Sequence, residues 1–353
     1  MRYTKIFNDQ LDHGYAVMRM NELGRDFVLI ASEEDQPCYA YDLDDNHRRI
    51  TVWDGPGGTM TMVQLPGTLD FLATQRFYPG FNSKTCRIVR GTFNGEGWDI
   101  TEVASTPYIH RFDLIPHEGG FWYVGCSIAN SKRFTDDWSD PGKVFVGEYD
   151  AEANELRDVR ELPVRITKNH GYRRGSGDWS FITGHEGIFR LDYPADGRDW
   201  TLTKVAGEET SDLAAIDVDG DGRVEYLAIQ GFHGERLRMY DEDWRSIDVT
   251  EPCTPFGHAI EAVTLHGVPM FLFGHRAGAQ ELMEVTLEDG RIAKHVIEAG
   301  VGPSNVLVYA KDGVQYLLSA NREANSLAIY RVDVDDAAAD GTGAGERADA
   351  GER

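Results

Sequence analysis

A short apolar-alternating run begins seven times along this chain, at His13, Thr59, His110, His170, Asp212, His258 and Asn305, with successive starts 42 to 60 residues apart. Self-similarity at that period marks a repeat architecture, in which one supersecondary unit stacks on copies of itself. The unit is plainest from Ser211 to Thr250, SDLAAIDVDGDGRVEYLAIQGFHGERLRMYDEDWRSIDVT. Its four runs, LAAIDV, VEYLAIQ, RLRMYD and WRSIDV, are too short for helices and rich in residues that suit a pleated surface. Four antiparallel strands are expected. Second strands recur at residues 27–32, 70–75, 121–126, 179–184, 225–231, 269–274 and 314–320.

The first turn of the unit runs Asp217-Val218-Asp219-Gly220-Asp221-Gly222-Arg223-Val224-Glu225. It resembles the DxDGDGxxE turn of FG-GAP/VCBS blades, and the resemblance implies a β-propeller. Carboxylates at alternate positions on a glycine-bent loop suit a structural Ca²⁺, held by Asp217, Asp219, Asp221 and Glu225; the flanks are strands, which excludes an EF-hand. The expected fold is all-β, a single seven-bladed β-propeller over residues 1–333. Blade seven has three strands of its own, and the N-terminal run Tyr3–Phe7 is expected to supply the fourth, closing the ring and removing its free edge. Residues 334–353, mostly Ala, Gly, Asp and Glu, read as a disordered acidic tail. The longest insertion, Ser127–Lys143, interrupts blade three between its second and third strands.

Asp and Glu outnumber Lys and Arg by 59 to 35, for a formal net charge of -24. Repulsion from phosphate backbones argues against nucleic acid as a partner. No apolar run approaches a membrane span and the N-terminus lacks a signal-peptide core, so no membrane partner and a cytoplasmic location are expected. Cys38, Cys86, Cys126 and Cys253 lack CxxC spacing and indicate neither a zinc ribbon nor a disulfide framework. GxSxG, HExxH and phosphate-loop fingerprints are absent.

In a propeller the blade starts and the turns after second strands share one face. His13, His110, His170 and His258 open first strands; His185, His233 and His275 follow second strands. Seven imidazoles on one mouth suit a divalent transition metal such as Zn or Mn, with His110, His170, His258 and His275 as expected ligands. Tyr78, His185, His233 and His13 are the candidate proton-transfer groups. The same rule places Arg76, Lys132, Arg133, Arg173, Arg174 and Arg322 on that mouth, where they suit an anionic small molecule or oligosaccharide. Trp138, Phe134 and Tyr78 could stack on a sugar ring.

These parts are the ones needed to remove a proton beside a carboxylate, so metal-assisted β-elimination, dehydration or isomerisation of a sugar derivative is the expected function. In residue type the site is similar to those of propeller-fold polysaccharide lyases and aldos-2-ulose dehydratase. Residues 300–332, with their GPxN start and AN-x-x-x-NS pattern, are similar to the closing blade of lactonase-type propellers; that resemblance maps Asn305 to a central ion and makes lactone hydrolysis an alternative. A non-catalytic carbohydrate- or protein-binding propeller is the second alternative.

Overall fold

The computed structural model describes residues 1–78, 82–195 and 197–335. Their strands form seven four-stranded antiparallel sheets. The first strand in the chain, β1 (Arg2–Gln10), belongs to the last sheet. Blade one is then β2 (Gly14–Glu22), β3 (Arg25–Ser32), β4 (Cys38–Asp42) and β5 (Arg48–Trp53). Blade two is β6 (Met62–Gln64), β7 (Phe71–Gln75), β8 (Arg87–Phe93) and β9 (Trp98–Ser105). Blade three is β10 (Ile109–His117), β11 (Gly120–Ser127), β12 (Val144–Asp150) and β13 (Glu155–Glu161). Blade four is β14 (Gly171–Arg174), β15 (Trp179–Gly184), β16 (Gly187–Asp192) and β17 (Thr201–Ala206). Blade five is β18 (Thr210–Ile216), β19 (Glu225–Gln230), β20 (Arg236–Tyr240) and β21 (Ser246–Val249). Blade six is β22 (Gly257–Leu265), β23 (Val268–His275), β24 (Leu282–Glu288) and β25 (Arg291–Glu298). Blade seven is β26 (Pro303–Lys311), β27 (Val314–Asn321) and β28 (Ser326–Asp333), with β1 paired to β28 as its outermost strand.

The ring is therefore closed by the N-terminal strand. Tyr3 Oη donates to Glu284 Oε1 of blade six (2.6 Å), and the N-terminal ammonium lies 3.3 Å from the same oxygen. The expected acidic tail falls, beyond Asp335, outside the described residues. No helix is long and apolar enough to cross a membrane.

Alternation along each strand sends one face to each neighbouring blade, so the core is divided among the seams. Phe27, Leu29, Phe71 and Val89 fill the seam between blades one and two. Phe112, Tyr123, Leu72 and Ile88 fill that between two and three, and Val124, Val146, Ile182 and Leu191 that between three and four. Leu227, Ile229, Phe271 and Phe273 join blades five and six, while Ile30, Tyr41, Leu318 and Ile329 join seven to one. Each seam buries apolar surface that neither blade could bury alone, so the sheets are stable as a ring.

The innermost strands carry a shared irregularity. Pairing with the second strand slips between Gly14 and Ala16, Ile109 and Arg111, Gly257 and Ala259, and Pro303 and Asn305. One extra residue, Tyr15, His110, His258 or Ser304, bulges there, and a bulge re-aims its side chain. In blade four, His170 and Gly171 both face Thr183. This corrects the equivalences drawn from sequence: Tyr15, not His13, matches His110, His170 and His258, and Ser304 takes the place expected for Asn305.

Candidate functional site

Tyr15, His110, His170 and His258 point into a cup of about 240 Å³ at one end of the axis, lined also by Glu33, Met60, Phe77, Tyr78, His233, Phe256, Arg276 and Arg322; Ser304 instead turns its hydroxyl to the Gly14 carbonyl. Three of the cup's imidazoles are wired to the next blade by one rule. His110 Nδ1 meets the carbonyl of His170 (2.9 Å), His170 Nδ1 that of Ser211 (3.2 Å), and His258 Nδ1 that of Ser304 (2.6 Å). A carbonyl only accepts, so each Nδ1 carries the proton and each Nε2 is left with a lone pair.

His170, His233 and His258 each place a ring nitrogen within 4.8 Å of the other two. Nε2 of His170 and Nε2 of His233 are 3.2 Å apart. His110 packs on His170 with ring centroids 4.4 Å apart, and its Nε2 lies 3.5 Å from the Tyr15 hydroxyl, outside the trio. His233, in the left-handed conformation (φ 49°) after β19, stacks on Phe256 at 4.3 Å. Burial pushes all four imidazoles below their usual range, His170 to about 3, and neighbouring His and Arg charges act the same way. Both effects favour the neutral rings. Burial likewise raises the Tyr15 and Tyr78 phenols, which favours their protonated forms.

Two guanidiniums form the rim. Arg276 lies over the Phe256 ring, 4.8 Å from its centroid, and Arg322 pairs with Glu33 and with Glu323. Arg276 also reaches Glu323 (2.8 Å) and Glu33 (3.5 Å).

Other expected members lie elsewhere. His13, just before β2, sits 3.7 Å from Glu34 and does not line the cup, and His185 sits 3.2 Å from Glu209, more than half exposed. His275, expected as a metal ligand, is buried beneath its own loop: Nδ1 meets the Ala277 carbonyl at 2.9 Å and Nε2 accepts from the Glu281 amide at 3.4 Å. Its nitrogens are committed to closing that turn. Of the basic residues expected on the mouth, Arg322 alone lines the cup. Arg76 lies near Tyr78 but is not one of the residues lining the cup. Arg133 is exposed and clamps Asp137 within the blade-three insertion (2.7 Å). Lys132 is buried with its ammonium 3.5 Å from the centroid of Trp138, whose ring packs on Phe232. Trp138 therefore supports the loop beneath His233 and does not face the cavity; Phe134 is exposed.

Arg173 and Arg174 are displaced furthest. They line a second cavity of about 400 Å³, the axial channel beyond the cup, bounded by all seven inner strands. Three residues along a strand is about 10 Å, enough to carry them past the mouth. There Arg173 pairs with Glu261 (2.8 Å) and Arg174 with Asp113 (2.6 Å). His258 and Met60 line both cavities and mark their junction.

Asp217, Asp219 and Asp221 gather within 4.8 Å in the turn between β18 and β19, at the opposite end of the blade from Ser211. Their oxygens accept turn amides, Asp217 from Gly220 and Gly222, Asp219 from Asp221. Glu225 is not one of this group: it is buried and accepts from the Val218 amide (3.0 Å).

Tyr15, Glu33, Arg276 and Phe256 were not singled out in the sequence. The rule that found His233, a residue just after a second strand, reaches Glu33 and Arg276 as well. Tyr15 becomes visible once a bulge is allowed at each blade start.

No known sequence family matches the chain, and no curated protein does. Among solved structures, the WD40 β-propeller domain of Doa1 superposes with a TM-score of 0.61 at 13% identity, over 95% of this chain and 98% of that one. A chain of the mitotic checkpoint complex gives 0.59 at 9% identity, over 93% and 92%. Identities this low carry the fold and no site. The chain thus has the seven-bladed β-propeller fold, with a histidine-lined cup at one end of its axis.

Proposed function

We propose that this protein is a binding propeller that holds a small, anion-bearing molecule in the axial cup. The observation that carries it is the cup's wall. Phe77, Phe256, Tyr15 and Tyr78 supply apolar and aromatic surface, and Arg276 and Arg322 bring two guanidiniums to the wall, held there by Glu33 and, from outside the lining, by Glu323. A few convergent polar groups in an aromatic pocket are the usual means of fixing a small ligand. The volume, about 240 Å³, is that of roughly eight waters. It takes one ring-sized group, so an oligosaccharide would enter by a single residue.

Binding is favoured over elimination by the placement of the proton-transfer candidates. His13 and His185 lie outside the cup, and burial raises the Tyr78 and Tyr15 phenols, which disfavours the phenolate that would have to take the proton. His233 is the group through which the lyase reading survives. Lactone hydrolysis centred on Asn305 has less support, since its amide donates to the Tyr15 carbonyl (2.9 Å) in the channel.

The test is a calorimetric screen of sugar acids, hydroxy acids and dicarboxylates against the protein and its Arg276→Gln and Arg322→Gln variants. A saturable one-to-one ligand that both variants weaken supports binding. Absorbance growing near about 235 nm on a uronic-acid substrate, as a conjugated elimination product requires, and lost in His233→Ala, would replace binding with catalysis.

A further inference from the structure

We propose that His170, His233 and His258 form a three-imidazole centre for one divalent transition-metal ion, with its remaining coordination directed into the cup. The inference deepens the binding role proposed above, because it makes the cup's ligand a metal-coordinating one.

The geometry carries it in three steps. Two nitrogens bound at about 2.0–2.1 Å to one tetrahedral ion stand roughly 3.3 Å apart, and His170 Nε2 and His233 Nε2 are already at 3.2 Å. His258 is within 4.8 Å of both, so a rotamer adjustment of about an ångström brings it to the same centre. Next, His170 and His258 each hold Nδ1–H against a main-chain carbonyl of the following blade. That outer hydrogen bond fixes the ring, fixes the tautomer and raises the basicity of the nitrogen facing the ion. Finally, neighbouring groups do not complete the sphere: His110 turns Nε2 toward Tyr15, and Glu33 is engaged by Arg322 and Arg276.

Three neutral nitrogen donors without a thiolate suit Zn²⁺, Co²⁺, Ni²⁺ or Cu²⁺ and disfavour Ca²⁺ and Mg²⁺. An ion with three protein ligands keeps a position for an outside donor. Here that position opens on a wall bearing Arg276 and Arg322, so the matching ligand is a carboxylate, or another oxyanion, that binds the ion through one oxygen and a guanidinium through the other.

The experiment uses the full chain, stripped with chelator and titrated with Co²⁺, followed by the visible d–d bands and by competition with Zn²⁺. One ion per chain is expected. His170→Ala and His233→Ala should each weaken it by more than about a hundredfold, beyond the effect of losing an outer-shell partner, while His185→Ala and His275→Ala leave it within about threefold. Should the alanine variants fail to fold, pulsed EPR of Cu²⁺ on the unaltered chain answers instead, through the remote nitrogens of coordinated imidazoles. Sub-stoichiometric binding, absence of imidazole signals, or loss of the ion in His185→Ala to the same degree would overturn the centre. An organic ligand that binds stripped and loaded protein equally would separate the two ideas, leaving the cup as a binding site and removing the ion from it.

Discussion

Nε2 of His170 faces Nε2 of His233 at 3.2 Å, while His170 keeps its one proton on Nδ1 for the Ser211 carbonyl. Two lone pairs at that distance repel, so something positive lies between them: a proton on His233, or a shared cation. In metal-free protein it is the proton. Long-range ¹H–¹⁵N spectra should then show Nδ1–H tautomers for His110, His170 and His258 and the Nε2–H tautomer for His233, and Zn²⁺ should remove the latter. A metal-free His233 protonated only on Nδ1 would contradict this arrangement.

Lys132 gives a pH effect separate from the histidines. Burial lowers its ammonium to about 8, against the partial opposition of Asp136 and Asp137. In the unfolded chain the same group titrates near about 10.5, so between roughly pH 8 and 10.5 the unfolded state binds the extra proton. Stability should therefore rise with pH across that window, and this contribution should be flat below it. Urea unfolding from pH 7 to 10.5 would show the rise in the unaltered chain and its absence in Lys132→Met; parallel curves for the two would refute the assignment.

Arg173 and Glu261 span the channel between blades four and six, each about a third exposed or less. Removing one partner strands the other charge, at a cost of about 1–3 kcal/mol given that exposure, below the range for full burial. Arg173→Met should lose that much in denaturant melts, and adding Glu261→Gln should recover part of it. If the double variant is less stable than the sum of both singles, the pair is not what holds these strands.

Closure by β1 is testable by removing it. A chain starting at Leu11 leaves β28 as a free edge and deprives Glu284 of Tyr3 and the terminal ammonium. A stability loss above about 4 kcal/mol is expected, in the range reserved for major structural damage, together with concentration-dependent association through the edge. Calorimetry and sedimentation of the truncated chain decide it; an unchanged melting temperature would mean the ring closes without this strand.

Strand periodicity and turns lie within each forty-odd residues of sequence, so the seven sheets, the closing strand and the insertion at Ser127–Lys143 could be read without coordinates. So could the arrival of His110, His170 and His258 at inner strand ends. Where those rings aim was decided only in three dimensions. A one-residue bulge puts Tyr15 rather than His13 into the cup, a few more residues along β14 deliver Arg173 and Arg174 to the channel, and a turn's own amides and carbonyls hold His275 away. The acceptors that orient the cup, the carbonyls of His170, Ser211 and Ser304, belong to the next blade. Repetition is local information; orientation comes from partners that meet only once the ring has closed.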